Sequence, residues 1–427
     1  MGHERQSQGH DRQRHNRLAG PQLRRKPIFA GWNFLKTAGK LKIGVFAMEG
    51  LNSLGTVYFF YYIYFYTRDQ FNFGALQNLL LAAGLGAVYA VAAYFGGQFA
   101  QKFGYFTAVR WGTALMASVI LIGSQVKGLP ATIAVLIVTD IGMCLTWPAL
   151  EALMSEGEPP VRLQSLVGIY NVVWAVAGAF AYFTGGVLMQ KWGLKSIFFV
   201  PAGLLFLEMG LASWLEREAQ RQPPVELDRP PLRPAPEGHA SPIPPALFLK
   251  MAWLVNPLAY LAINTVVSTI PTLAKHFQFT PMQAGFVCSI WLFARAGAFV
   301  FLRLWPRWHY RFRFLAGSHI AMIVSFGAML LARNIWVLIA SQAVFGMAVG
   351  LIYYSSLFYS MDVGETKGEH GGIHEAAIGA GSATGPAMAA AALVFFPKFP
   401  GSGTVADCVL LLLGLGGLYW MRFRRRD

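Results

Sequence analysis

The chain has 427 residues, of which 55% are hydrophobic and only 13% charged, where ordinary soluble domains carry about 25% charged. That balance excludes a soluble multidomain protein, which could not cover its own surface, and bulk disorder, which needs fewer apolar residues; three cysteines in apolar runs exclude a disulfide scaffold or a CxxC metal site. The net charge of +15 sits in tails and in short loops between apolar runs, which points to membrane topology and away from nucleic acid.

Residues 1–42 form a basic tail whose Arg24-Arg25-Lys26 suit anionic lipid. His3, His10 and His15 in that tail lack the spacing of metal ligands. Twelve apolar runs of spanning length follow, at 43–66, 76–98, 107–126, 131–153, 165–189, 194–214, 247–272, 281–304, 314–332, 335–360, 372–396 and 403–421. The first begins after about forty polar residues and leads into further spans, so it reads as a span and not as a cleavable signal. Between the sixth and seventh runs, residues 215–246 hold nine prolines and no apolar run, which predicts an extended, flexible linker. The chain thus divides into the tail 1–42, a six-helix bundle 43–214, the linker 215–246, a second bundle 247–421 and a basic tail 422–427. With the N-terminus inside, 27 of the 35 lysines and arginines fall on inner segments, 7 on outer loops, and Arg295 within a span. This bias predicts a plasma-membrane protein with both termini and the linker in the cytoplasm, where the membrane potential and the anionic leaflet hold cations.

Polar and ionisable residues inside spans are costly and therefore mark function first. The first span carries Glu49, Asn52, Ser53 and Thr56 on one stripe. Its aromatic end, Tyr58–Tyr66, reads as an interfacial belt, with ring stacking against a sugar-like solute as the sharper alternative. The fourth span places Asp140, Cys144, Trp147 and Glu151 on one face, and the fifth Asn171, Trp174, Gly178 and Tyr182. In the seventh, Asn256, Tyr260, Asn264 and Ser268 form a similar stripe. Arg295 lies mid-way along the eighth, with Cys288 and Trp291 on its face, and needs a carboxylate, a carbonyl or a solute anion. Glu151, His374 and Glu375 lie near span ends, where interfacial water or gate contacts account for them equally. Glu208 on the sixth span and His319 on the ninth read as structural or snorkelling groups.

The two halves echo each other. Gly142 meets Gly346 at an offset of 204, and Gly168-Ile169-Tyr170-Asn171 meets Gly372-Ile373-His374-Glu375 at the same offset. Phe71-Asn72-Phe73-Gly74-Ala75-Leu76-Gln77 meets Phe277-Gln278-Phe279-Thr280-Pro281-Met282-Gln283 at 206. Parallel six-span repeats imply a pseudo-twofold axis along the membrane normal and a cavity between the repeats.

With this architecture over roughly 43–421, the chain resembles the major facilitator superfamily. That family's loop after the second span reads like G-x-x-x-D-R-x-G-R. Here the stretch is Gly97-Gln98-Phe99-Ala100-Gln101-Lys102-Phe103-Gly104-Tyr105, with Gln101 at the acidic position and Tyr105 at the last arginine. The resemblance makes Gly97, Gln101, Lys102 and Gly104 gating-loop candidates. The corresponding stretch of the second half, Arg303 to His309, keeps only positive charge. Val138, with Gln342 as its repeat partner, stands where exporters carry a fourth-span arginine. Gly381-Ser382-Ala383-Thr384-Gly385-Pro386 resembles the exporter pattern G-x-x-x-G-P, but in the eleventh span and not the fifth. Import and export both stay open. The resemblance implies an all-α fold of twelve transmembrane helices in two pseudo-symmetric six-helix bundles. It also implies a cavity lined by the first, fourth, seventh and tenth spans, with the fifth, eighth and eleventh beside it. Glu49, Asn52, Asp140, Trp147, Asn171, Trp174, Asn256, Tyr260, Asn264, Arg295, Gln342 and Glu375 are then the solute- or ion-binding candidates.

The expected function is secondary active transport of a small organic solute by alternating access, with protons carried by cavity carboxylates. Arg295 suits a carboxylate-bearing solute, and the tryptophans and tyrosines suit a sugar. Without a GxxxxGK[ST] loop no nucleotide is implied, and no cofactor or metal is expected. The expected partners are the solute, protons and anionic lipid, with no nucleic acid, around a monomer. A non-transporting sensor on the same fold is the alternative, although it would usually carry an added signalling domain. An intramembrane enzyme is the other: Gly379-Ala380-Gly381-Ser382-Ala383 does not fit a serine-hydrolase motif, and no HExxH occurs.

Overall fold

A computed structural model describes residues 39–155, 158, 160–221, 243–363 and 367–424. Arg24-Arg25-Lys26, the histidines at 3, 10 and 15, linker residues 222–242 and the last three residues of the C-terminal tail lie outside the described residues. Among the described residues the chain is all helix and turn, with no strand. This is what a chain in lipid requires, since a helix satisfies its own backbone. Twelve spans among the described residues are long and apolar enough to cross a membrane.

The first half holds Gly39–Phe71, Ala75–Phe103, Tyr105–Gly123, Leu129–Ser155, Pro160–Trp192 and Ser196–Gln220. The second half begins with Pro245–His276. Its next span is built from Pro281–Cys288 and Ile290–Leu304, which meet at Ser289. Phe312–Leu330, Ile335–Val363, Lys367–Phe395 and Ser402–Phe423 complete it. Several helices outrun the apolar runs. The first continues to Phe71 and the sixth to Gln220, because an established helix propagates cheaply through good helix formers such as Glu216, Arg217 and Glu218.

The stretch from Gly97 to Phe103 is likewise helical. Gly97 and Gln101 sit in the last turns of the second helix, so the expected gating loop reduces to Gly104. That residue adopts φ 100, open to glycine, and its N–H donates to Ala100 O at 3.0 Å. Lys102 is exposed, with its ammonium 5.2 Å from the ring of Phe103 on the same helix.

The repeat is visible in the backbone. Asn72 (φ 56) and Gln278 (φ 55) both take the left-handed conformation at an offset of 206. Three residues inside each following helix, Gln77 and Gln283 turn back to the N–H groups of Gly74 and Thr280, at 3.0 and 2.9 Å. Gly104 and Tyr310 repeat the positive φ at the same offset. Each half also uses the same neighbours: the first span lies on the fourth and fifth, as the seventh lies on the tenth and eleventh. The offset of 204 fares differently. Gly142 faces Met116 and Gly112 of the third span, whereas Gly346 faces Trp291 and Ala294 of the eighth. These two glycines occupy different helix faces and are not equivalent, because apolar helices align easily in sequence.

The halves meet along two seams, the second span against the eleventh and the fifth against the eighth. The first and seventh spans are the most buried, and the twelfth is the least. Large apolar side chains such as Leu80, Trp111, Leu207, Val324 and Leu413 stay exposed around the outside. So much exposed apolar surface is tolerable only against lipid.

Candidate functional site

A cavity lies between the halves, lined by the first, second, fourth, fifth, seventh, eighth and eleventh spans. About 130 Å³ of it is open to the centres of water molecules. At about 30 Å³ of liquid volume per water, this accommodates about four waters, or one small organic molecule.

Arg295 enters this cavity from the eighth span and is only 2% exposed. Its guanidinium carbon lies 4.4 Å from the ring centroid of Trp174 and 4.9 Å from that of Trp291. The Tyr61 hydroxyl is beside it. Among the described residues no carboxylate oxygen lies within 4.0 Å of it, and its Nε has no hydrogen-bond partner. The guanidinium therefore sits over both rings, and its Nε–H is left for another acceptor.

Two expected binding residues act from behind this wall. Asn171 accepts a hydrogen bond from Trp174 Nε1 at 3.2 Å, and Asn52 accepts one from Trp147 Nε1 at 2.7 Å. The Asn52 amide in turn donates to both oxygens of Glu208 at 3.1 Å. Neither asparagine lines the cavity; each orients a tryptophan that does. Trp147, Trp174, Tyr260, Asn264, Asp140 and Glu375 all line it as expected positions on inward faces. Asn264 donates to Ser382 Oγ at 2.7 Å across the seventh and eleventh spans. Asp140 is 2% exposed, and its Oδ2 has no partner.

Other candidates fall elsewhere. Glu49 is fully buried outside the cavity lining and accepts a hydrogen bond from Ser53 at 2.9 Å. Asn256 is buried with its Oδ1 unpartnered, and Gln342 donates to Val287 O at 3.1 Å. Neither lines the cavity. Glu151, His374 and Glu375 are 0, 1 and 0% exposed, so interfacial water does not account for them. His319, read as structural, lies with its Nε2 2.9 Å from Leu411 O of the twelfth span.

The aromatic end of the first span is not an interfacial belt. Tyr58, Tyr62, Tyr64 and Tyr66 are buried, and Tyr61 and Tyr64 line the cavity. Tyr62 donates to Tyr182 O at 2.6 Å, which ties the first span to the fifth. Tyr61, Tyr64, Tyr89 and Ser382 are the lining residues that polarity alone passed over. Asp407 of the twelfth span was also passed over: fully buried, it accepts from Thr265 at 2.7 Å.

Comparison with known proteins follows the same lines. The chain is 25% identical over 178 residues to a quinate permease of Emericella nidulans, which is 37% of this chain and 33% of that protein. It is 29% identical over 140 residues to the tetracenomycin C resistance and export protein of Streptomyces glaucescens, 31% of this chain and 25% of that protein. The matches thus span about a third or less of the length of these curated relatives. The structure of the human organic anion transporter MFSD10 (TETRAN) superposes with a TM-score of 0.66, covering 88% of this chain and 98% of that one at 13% identity. A likeness at that identity concerns the fold. The Major Facilitator Superfamily model matches residues 45–386, and with twelve spans in two repeated halves around a cavity the chain belongs to the Major Facilitator Superfamily, a family of multi-pass membrane transporters.

Proposed function

We propose that the chain is a secondary active transporter that moves a small organic carboxylate by alternating access, coupled to protons. The observation that carries this reading is Arg295, a buried cation on the cavity wall with no carboxylate partner among the described residues. A guanidinium in such a place is costly unless an anion meets it, and its planar edge matches a carboxylate with two parallel hydrogen bonds. Hydroxyl and amide groups of Tyr61, Tyr260, Asn264 and Ser382 line the same space and suit a hydroxylated solute. The relatives named quinate permeases support this chemistry, since quinate is a polyhydroxylated carboxylate. Thermal-shift measurements on the purified protein test it. Hydroxylated carboxylates should raise the melting temperature by mass action, and uncharged polyols of the same size should not. Stabilisation by sugars or polyols alone would overturn the anionic assignment. Flux of the stabilising solute into proteoliposomes holding only this protein separates a transporter from a sensor.

Coupling is assigned to Asp140 ahead of Glu49, because Asp140 faces the cavity and Glu49 does not. A carboxyl group whose hydration differs between two conformations binds a proton with different affinity in each, so protonation and conformation are linked. Asp140→Asn is expected to abolish accumulation driven by a pH gradient while solute exchange persists. Glu49→Gln should have the smaller effect. If both variants accumulate solute like the wild type, the proton route lies elsewhere.

The excess of positive charge on alternate loops supports a cytoplasmic linker and termini in the plasma membrane. A single cysteine placed at Ser241, in an otherwise cysteine-free chain, should react with an impermeant thiol reagent only after the cells are opened. Reaction in intact cells would invert the orientation.

A further inference from the structure

Beside the cavity, toward the end of the bundle that carries Gly39 and Arg424, three ligand-type side chains converge on one point. Glu151 comes from the fourth span of the first half; His374 and Glu375 come from the eleventh span of the second. One ligand atom from each lies within 4.8 Å of the others. All three residues are at most 1% exposed.

Each of these groups has a buried atom without a hydrogen bond of good geometry. Ser356 Oγ lies 3.2 Å from His374 Nδ1, and His374 Nε2 has no hydrogen-bond partner. The Tyr89 hydroxyl donates to Glu375 Oε2, while Glu375 Oε1 has no partner. Both oxygens of Glu151 lack a hydrogen bond of good geometry, with the Glu375 carboxyl group and the Tyr353 hydroxyl beside them. Among the described residues no lysine or arginine nitrogen lies within 4.0 Å of either carboxylate. Glu49 also lies close to Glu151. Buried carboxyl groups in this number, without a cation, are expensive.

We infer that Glu151, His374 and Glu375 form a binding site for a divalent cation of the zinc or manganese class, which bridges the two halves of the protein. One imidazole nitrogen and two carboxylate oxygens are the donor set such ions take. Their bonds of about 2.0–2.2 Å allow ligand atoms to stand at most about 4.4 Å apart, so a small inward rotation of these side chains closes the site. The surrounding hydrogen bonds are of the kind that orient ligands: Ser356 holds Nδ1 and leaves Nε2 to the metal, and Tyr89 holds one oxygen of Glu375 and leaves the other. The ligands come from both halves, so a bound cation clamps this end of the interface and slows any motion that separates the fourth span from the eleventh. The inference is independent of the solute assigned above.

The test uses the full chain, purified in detergent without a polyhistidine tag and stripped with a chelator. After incubation with zinc or manganese and gel filtration, one metal ion per chain should remain, and the melting temperature should rise. Micromolar zinc should inhibit solute flux in proteoliposomes. Glu151→Gln and His374→Asn should lose the bound ion and the inhibition together. Replacing His3, His10 and His15 with alanine should change neither. Cobalt(II) gives a readout that needs no variant, because low-symmetry nitrogen and oxygen ligation produces a visible absorption far stronger than that of the hydrated ion. Wild-type protein that retains no metal and leaves the cobalt spectrum unchanged would overturn the site. Equal retention by well-folded Glu151→Gln and His374→Asn would do so too.

Discussion

Arg295→Lys is expected to weaken apparent solute affinity by at least about tenfold, ~1.4 kcal/mol, without loss of folding. The lysine keeps the charge but not the plane. It can neither stack a planar group on Trp174 or Trp291, whose centroids are 4.4 and 4.9 Å from the guanidinium carbon, nor offer two parallel donors to a carboxylate. Arg295→Met removes the charge at similar volume and should bring uptake to background. Its effect on stability has a defined sign. Breaking a buried ion pair costs about 3–5 kcal/mol because one charge is left alone, whereas replacing buried charge by packed apolar atoms is often neutral or stabilising. Arg295 has no carboxylate within 4.0 Å among the described residues, so Arg295→Met should melt at or above the wild-type temperature. A steep fall in melting temperature, with unchanged affinity in the surviving Arg295→Lys protein, would make the arginine a structural element. Binding measurements on both variants, paired with melting curves, decide the matter.

The physical cost of each residue governs how much of this arrangement can be read along the chain. Span number follows from apolar length, since lipid leaves the backbone little choice. Span ends do not follow, because helices such as Ser196–Gln220 continue into polar sequence without penalty. Charged groups within spans announce themselves, and Asp140, Arg295 and Glu375 do line the cavity. Periodicity assigns a residue to an inward face but says nothing of its depth behind that face. Asn52 and Asn171 therefore look like binding groups in sequence and turn out to hold Trp147 and Trp174 from behind. Tyrosine is ambiguous in a further way, since a membrane interface and a polar cavity both favour a ring with a polar tip. For that reason Tyr61 and Tyr64 could not be separated from a belt. The convergence of Glu151 with His374 and Glu375 depends on the fourth span meeting the eleventh, more than two hundred residues on. No local pattern encodes that contact.

Gly86→Val is expected to stop transport almost completely. Gly86 of the second span faces the eleventh so closely that an added Cβ would stand 2.4 Å from Ala383 N and 2.5 Å from Ser382 C. Gly379 of the eleventh span returns the contact, with a Cβ 2.3 Å from Ala90 N. These neighbours are backbone, so no rotamer change relieves the clash and the two helices must move apart. Small residues at such a seam are what let membrane helices approach closely, where apolar lipid provides no drive of its own. Overfilling a packed contact costs about 1–3 kcal/mol even where side chains can adjust. Here the cost falls on one of the two seams that join the halves. The melting temperature of Gly86→Val should drop, and its uptake should approach background, because a seam forced open cannot restore the conformation with the halves closed on each other. Gly86→Ala should fall between it and wild type. Gly84, two residues earlier, has nothing within 4 Å of an added Cβ and is exposed on the outside of the bundle. Gly84→Val should therefore match wild type in both uptake and melting, since it carries the same change in helix propensity without the clash. Wild-type transport by Gly86→Val would mean that the second and eleventh spans do not come this close in the working cycle.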